Sequence, residues 1–409
     1  MSEPISQPEE VHPPAARPPV ASVVRPAVVY LTFFGSIGAY FPYVAVYYRS
    51  IGLSVESIGL LTALQAAVSL ALAPLWGAVV DQLGSVRGPL AVAGLATAAA
   101  AALLGLARDP LLIAAAVICL AAAGSGMIPM LDSRTVDLLG DDRDRYGRAR
   151  AWGSAGFIVV SLAVGVLIER IGPAGLFLVY VPGLVLVSVV GWALLGGPSR
   201  AGRRVLRVTA EEVVGLLRQR RLALFLVGSI LLWTAVAAVS TFFSIHLIAL
   251  GAPAEIVGLA WALGALVEVP LMFSFDRIVR RVPAEWLIVF AVVVFAVRAA
   301  GFALAPSVAV VLIVAPLGGV GFAFFFVGTV TYVARVAPPR LQATAQGIYS
   351  GTAFSVGTVL GAILGGQVAG VLTLRGLFGV CAIVAAAAAV VIATAVMPDR
   401  RVAGARPGR

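Results

Sequence analysis

Ile51 to Leu64 reads IGLSVESIGLLTAL, and Leu250 to Leu263 reads LGAPAEIVGLAWAL, an offset of 250 − 51 = 199 residues. Glycine, glutamate and a Gly-Leu pair fall at the same places in both stretches. Outward from this match, Pro74 pairs with Pro270, Asp81 with Asp276 and Phe157 with Phe354, at offsets of 196, 195 and 197. Small loop insertions and deletions leave such a drift between two copies of one unit. Chance similarity of apolar sequence would not keep Gly, Pro and Asp in register. The chain therefore reads as a duplication whose halves meet in Gly196 to Arg221, its one long polar interruption.

Composition identifies the solvent. Of the 409 residues 61% are hydrophobic and 12% charged, with a mean hydropathy of +1.03, far from the balance of a soluble domain. Apolar stretches recur that are long enough, at ~1.5 Å per residue, to cross a ~30 Å hydrocarbon core. Backbone polar groups there must be satisfied within each segment, so the stretches are helices. The predicted spans are Val24 to Tyr48, Val55 to Val80, Gly88 to Leu106, Pro110 to Leu139, Ala149 to Ile168 and Gly172 to Leu195. After the interruption follow Leu222 to Ala249, Ala254 to Phe275, Pro283 to Leu304, Ser307 to Arg335, Leu341 to Val371 and Arg375 to Val396. The expected organisation is a disordered tail over 1–23, a six-helix bundle over 24–195, a linker over 196–221, a second six-helix bundle over 222–397 and a tail over 398–409.

The net charge of +10 comes from arginine alone, since no lysine occurs. Arginines crowd into every second loop: Arg143, Arg145, Arg148 and Arg150, then Arg200 through Arg221, Arg277, Arg280 and Arg281, Arg335 and Arg340, and Arg400 to Arg409. The alternate loops hold isolated ones, Arg49, Arg108, Arg170 and Arg375. This is the positive-inside asymmetry, which puts both termini and the linker in the cytoplasm of a multi-pass protein of a bacterial-type inner (plasma) membrane. A nucleic-acid partner is excluded, because its basic patch would gather on one folded surface. The Pro-rich residues before Val24 lack the order of a cleaved signal peptide. Cys119 and Cys381 fall within apolar spans, where they read as packing residues.

Parallel six-helix repeats resemble the major facilitator superfamily, an all-α membrane fold of twelve helices in two pseudo-symmetric bundles, with the solute bound between them near the midplane. A second signature carries the resemblance: Gly77-Ala78-Val79-Val80-Asp81-Gln82-Leu83-Gly84, with Arg87 beyond it, is similar to the superfamily's loop between helices two and three. Gln82 and Ser85 stand where basic residues are usual. The second copy keeps Asp276, Arg277, Arg280 and Arg281 without the glycines. The resemblance implies a conformational latch at Gly77, Asp81, Gly84, Arg87, Asp276 and Arg277. An aspartate at a helix end can pair with arginine or with a neighbouring helix N-terminus.

An ionisable side chain in a spanning helix costs at least ~2.5 kcal/mol on insertion scales, so each survivor needs a partner or a task. Asp132, Arg150, Glu268 and Arg298 survive here. The stretch Tyr146-Gly147-Arg148-Ala149-Arg150-Ala151-Trp152-Gly153-Ser154-Ala155-Gly156-Phe157 resembles the start of helix five in the branch that includes the lactose permease, the nucleoside:proton symporters and the phenylpropionate permeases. By that resemblance Arg150 is a substrate-binding arginine. Asp132, 150 − 132 = 18 residues earlier, is its acidic partner, able to meet it across helices four and five; a purely structural pair is the alternative. Ser154 and Phe157, at i+4 and i+7 of Arg150, resemble the hydroxyl and aromatic residues of the nucleoside site. The lactose permease has a tryptophan at the position of Phe157.

Glu268 matches a nucleoside-permease glutamate, and Arg298 matches the helix-nine arginine of the lactose permease. That permease's essential glutamate would fall at Ala265, and its helix-ten histidine and glutamate at Gly318 and Gly321. Proton coupling is therefore expected of Glu268 and Asp132, with Arg298 beside them; an ion pair of Arg298 with Glu268 is the structural alternative.

The expected function is proton-coupled symport of a small organic solute by alternating access, with nucleoside-like and aromatic-acid solutes ahead of sugars. An exporter of the same superfamily is the alternative, disfavoured because no proline interrupts Ala149 to Ile168. An enzyme is not expected: the two histidines, His12 in the tail and His246, build no nucleophile-base pair or metal cluster. No GxxxxGK[ST] run cradles a nucleotide. The expected partners are the solute, protons and the lipid bilayer, with no cofactor or metal and a monomeric chain.

Overall fold

A computed structural model describes residues 21–140, 143–197 and 210–397. Most of the expected tail over 1–23, the core of the linker and the expected tail over 398–409 lie outside the described residues, as does the side chain of Asp276. Among the described residues the spanning helices are α1 (Val23–Ser50), α2 (Val55–Leu83), α3 (Arg87–Leu106), α4 (Pro110–Leu139), α5 (Arg145–Ile171), α6 (Pro173–Leu194), α7 (Arg220–Ala249), α8 (Ala254–Phe275), α9 (Ala284–Leu304) and α10 (Val308–Val336).

The last helix, Thr344–Val396, has 53 residues and would be about 80 Å long if straight, more than twice a ~30 Å hydrocarbon core. It reverses at Thr373, whose φ of 76° is the single positive φ of a non-glycine residue among those described. The neighbours on α7 trace the reversal: Gly357 packs on Trp233 and Gly365 on Ala238 and Phe242, whereas Phe378 lies against His246 and Ile392 returns to Gly228. The two arms, α11 (344–372) and α12 (374–396), complete twelve crossings.

Local sequence explains where helices begin, end and break. The Ser54 hydroxyl accepts from Ser57 N at the start of α2, and Asp109 accepts from Leu111 N and Leu112 N at the start of α4, with Pro110 in the first turn. Both are side-chain N-caps. Gly84 ends α2 at φ 61°, a left-handed position that favours glycine. Three spans are broken: α1 after Tyr40 beside Pro42, α4 at Ser125 and Gly126, and α10 at Ala315 and Pro316. Broken helices at membrane depth line cavities, because freed backbone groups need other partners.

The halves repeat one packing scheme. In the first, Gly38 lies on the Phe157 backbone and Gly156 on the Leu31 carbonyl, bringing α1 onto α5. In the second, Gly361 lies on the Thr234 carbonyl, bringing α7 onto α11. Between halves, contact concentrates at one end. A Cβ on Gly59 would overlap the Ala362 carbonyl, joining α2 to α11, and one on Gly258 would overlap the Ser161 carbonyl, joining α8 to α5. Within the first half Tyr43 Oη donates to the same Ser161 O at 2.6 Å, and across the halves Ala254 N donates to Glu169 Oε2 at 2.8 Å, so a first-half carboxylate caps a second-half helix. At the opposite, arginine-rich end a Cβ on Gly77, Gly347 or Gly351 would meet nothing within 4 Å. Among the described residues the close approaches between the halves gather at the arginine-poor end, and the arginine-rich end is the more open.

Candidate functional site

Between the halves lies a cavity of ≈ 660 Å³, within the size range of small-molecule sites. Arg150, Ser154 and Phe157 reach it from α5, Glu268 from α8, and Arg298 from α9. Five of the sequence-predicted site residues thus share one chamber. A neighbouring space of ≈ 760 Å³, lined by α2 residues from Gln65 to Gly77, meets it at Ile37, Ile128, Ser350 and Phe354.

Asp132 is placed differently from the expectation. It does not line this cavity and makes no ion pair with Arg150 among the described residues; Tyr30 Oη donates to Asp132 Oδ1 at 2.5 Å. The Arg150 guanidinium instead lies 3.9 Å from the Phe34 ring centroid and 5.5 Å from that of Tyr30. Tyr30 therefore stands between the two charges, its hydroxyl on the carboxylate and its ring near the cation. A cation held over aromatic faces keeps its N–H fork free for a ligand.

Arg298 and Glu268 do not pair either. Arg298 is 7% exposed, and its guanidinium sits 4.7 Å from the Phe302 centroid and 5.5 Å from that of Phe243. Its Nε finds no acceptor. Glu268 and Arg150 line the same cavity from opposite halves. Glu268 sits in contact range of Gly319, where α8 and α10 approach so closely that a Cβ would overlap the Gly264 carbonyl. The glycine at 318 leaves room for the arginine: a Cβ there would lie 2.9 Å from Arg298 Nε.

Of the aromatic walls, the sequence singled out Phe157 as a solute contact. Phe34, Trp233, Phe243, Trp261, Phe295 and Tyr349 line the cavity as well. Trp233 Nε1 donates to Tyr349 Oη at 3.0 Å and Trp261 Nε1 to Ser244 Oγ at 3.0 Å, which fixes both indoles by their polar edges. The repeat carried the missing signal: 34 + 199 = 233 maps Phe34 onto Trp233.

None of the expected latch residues is among the described lining of this cavity, although Gly77 lines the neighbouring space. Gly77 and Asp81 are exposed near the arginine-rich end of α2, and Asp81 makes no hydrogen bond or ion pair among the described residues. Gly84 is the C-cap already described. The Arg87 guanidinium lies 4.2 Å from the Trp192 centroid. Asp276 and Arg277 lie where the α8 helix runs on to Val279. Ion pairs nearby join other residues, Arg335 to Glu285 and Arg340 to Glu212. Among the described residues no three His, Cys, Asp or Glu side chains gather as a metal site would require.

Comparison with known proteins agrees with this architecture. The chain is 30% identical over 344 residues to the maltose permease of Geobacillus stearothermophilus, covering 84% of this chain and 86% of that one. It is 26% identical over 278 residues to the probable 3-phenylpropionic acid transporter of Escherichia coli (strain K12), covering 66% and 72%. The crystal structure of the nucleoside transporter NupG superposes with a TM-score of 0.80 at 15% identity, over 92% of this chain and 100% of that one. The model of the MFS_1 like family matches residues 23–380. A broken-helix bundle of two repeated halves around one charged cavity, together with that match, makes the chain a member of the MFS_1 like family, multi-pass secondary transporters of the major facilitator superfamily rather than enzymes.

Proposed function

We propose that this protein is a proton-coupled symporter that takes up a small organic solute by alternating access, with aromatic-acid and nucleoside-like solutes ahead of sugars. One observation carries the reading. A chamber between the halves holds a guanidinium on one half and, among its described lining, a single carboxylate, Glu268, on the other. Arg150, Ser154 and Phe157 bind solute from the first half, and Glu268 binds it from the second. A carboxylate held in an aromatic cavity is costly when charged, and a proton is what neutralises it. Asp132, hydrogen-bonded to Tyr30, is the reserve proton carrier.

The arginine-rich loops and both termini face the cytoplasm of the inner membrane, which makes this conformation open to the cytoplasm. The units 24–195 and 222–397 rock about the cavity. In the opposite state Gly77, Asp81, Gly84 and Arg87, with Asp276 and Arg277, latch the cytoplasmic end, so Asp81 is unpaired while that end is open. One chain walls the whole cavity, so the working unit is a monomer.

Sugar:proton symport is the second reading, favoured by the maltose permease relative at 30% identity. Uptake into proteoliposomes tests both. An inward pH gradient is expected to drive accumulation of one of 3-phenylpropanoate, uridine or maltose, and a protonophore to abolish it. Uncoupler-resistant accumulation would remove the proton from the mechanism.

A further inference from the structure

Two arginines in the helical core are nearly inaccessible, and they differ in what they hold. Arg134, 5% exposed, donates from Nε to Leu195 O and from Nη2 to Gly196 O, closing the end of α6. Arg298, 7% exposed, has no carboxylate, hydroxyl or carbonyl partner among the described residues, yet it lines the cavity. An unpaired cation at membrane depth is expensive to keep. This one is also held in place, over Phe302 and Phe243 and against the missing side chain of Gly318.

We propose that Arg298 seats the anionic group of the transported solute, so that the cargo is an organic monocarboxylate on an aromatic body; this deepens the symport reading and rests on it. The guanidinium fork matches a carboxylate with two parallel hydrogen bonds, and Phe295, Trp261 and Phe322 wall the space for a planar apolar body. Charge balance points the same way. Arg150 and Arg298 against Glu268 leave the empty cavity with one uncompensated positive charge. One monoanion bound at Arg298 and one proton on Glu268 leave the same charge. Loaded and empty carriers then cross at equal electrostatic cost, and transport of the acid is electroneutral.

The test titrates the purified protein with 3-phenylpropanoate and with its uncharged amide, read by quenching of the cavity tryptophans Trp233 and Trp261. Wild type is expected to bind the acid about ten- to a hundred-fold more tightly. Arg298→Gln is expected to level the two ligands, and Arg298→Lys to retain part of the preference. If Arg298→Gln fails to fold, Arg298→Lys decides, since an acid-to-amide ratio equal to wild type in that variant overturns the seat. Equal binding of acid and amide, or binding of maltose or uridine with none of the acid, overturns the seat. In proteoliposomes, uptake of the acid that ignores an imposed membrane potential supports it, and potential-driven uptake of the acid overturns the charge balance. Accumulation of maltose on a pH gradient without carboxylate binding would leave the symport reading standing and the seat refuted. Acid-over-amide discrimination without any pH-driven accumulation would do the reverse.

Discussion

Phe34 and Phe157 in the first half correspond to Trp233 and Phe354 in the second, at offsets of 199 and 197, and all four rings line the cavity. The charges follow no such rule. The counterpart of Arg150 is Gly347 (150 + 197), and that of Glu268 is Leu72 (268 − 196). A duplicated unit supplies the aromatic frame and the hinge-like pairing of α1 with α5 and of α7 with α11. The chemistry was added to one copy or the other. Asymmetry of this kind gives the two halves different chemistry, a guanidinium on the first and a guanidinium with a carboxylate on the second.

The seams at the arginine-poor end give the largest test of how equivalent the halves are. A Cβ on Gly165 would lie 2.8 Å from Glu255 Cα and 2.9 Å from Ala254 O. Gly165→Leu is expected to keep that end from closing and to bring uptake to background, while solute still binds to purified protein. Gly59→Leu at the α2–α11 seam is expected to match it; normal transport by either variant would make the other seam the sole gate.

Arg150→Lys comes next. It removes the planar fork while keeping the charge, and the apparent KM is expected to rise about ten-fold or more. An unchanged KM would shift solute recognition wholly to the second half.

Phe34→Leu removes the ring under Arg150. A cation–π contact contributes roughly 0.5–2 kcal/mol, so binding is expected to weaken several-fold. Trp233→Leu, at the corresponding position, is expected to weaken it without changing its pH dependence. The smallest functional effect is expected from Tyr30→Phe. It leaves Asp132 without its donor and lowers stability by about 1–3 kcal/mol, read as a lower Tm with KM little changed. A large KM change would return Asp132 to the binding site.

Much of this architecture was legible in residue order. Pro110–Leu139 was bounded to the residue, the start of α8 at Ala254 likewise, and the reversal at Thr373 falls between the predicted ends Val371 and Arg375. Hydrophobic length and turn chemistry are local, so sequence carries them. The fifth span starts earlier than predicted, at Arg145, because arginines at a membrane surface continue a helix whose apolar part begins further on. Which residues meet was less legible. Asp132 and Arg150 were expected to pair, yet Tyr30 takes the carboxylate and Phe34 the cation. Such a choice depends on helix rotation and depth, which spacing along the chain leaves open.

Glu268→Gln in proteoliposomes tests the central claim most directly. The variant is expected to go on exchanging labelled for unlabelled solute across the membrane, at a rate reduced by the altered solute contact, yet to lose accumulation driven by a pH gradient. Accumulation equal to wild type would contradict the assignment of the proton to Glu268.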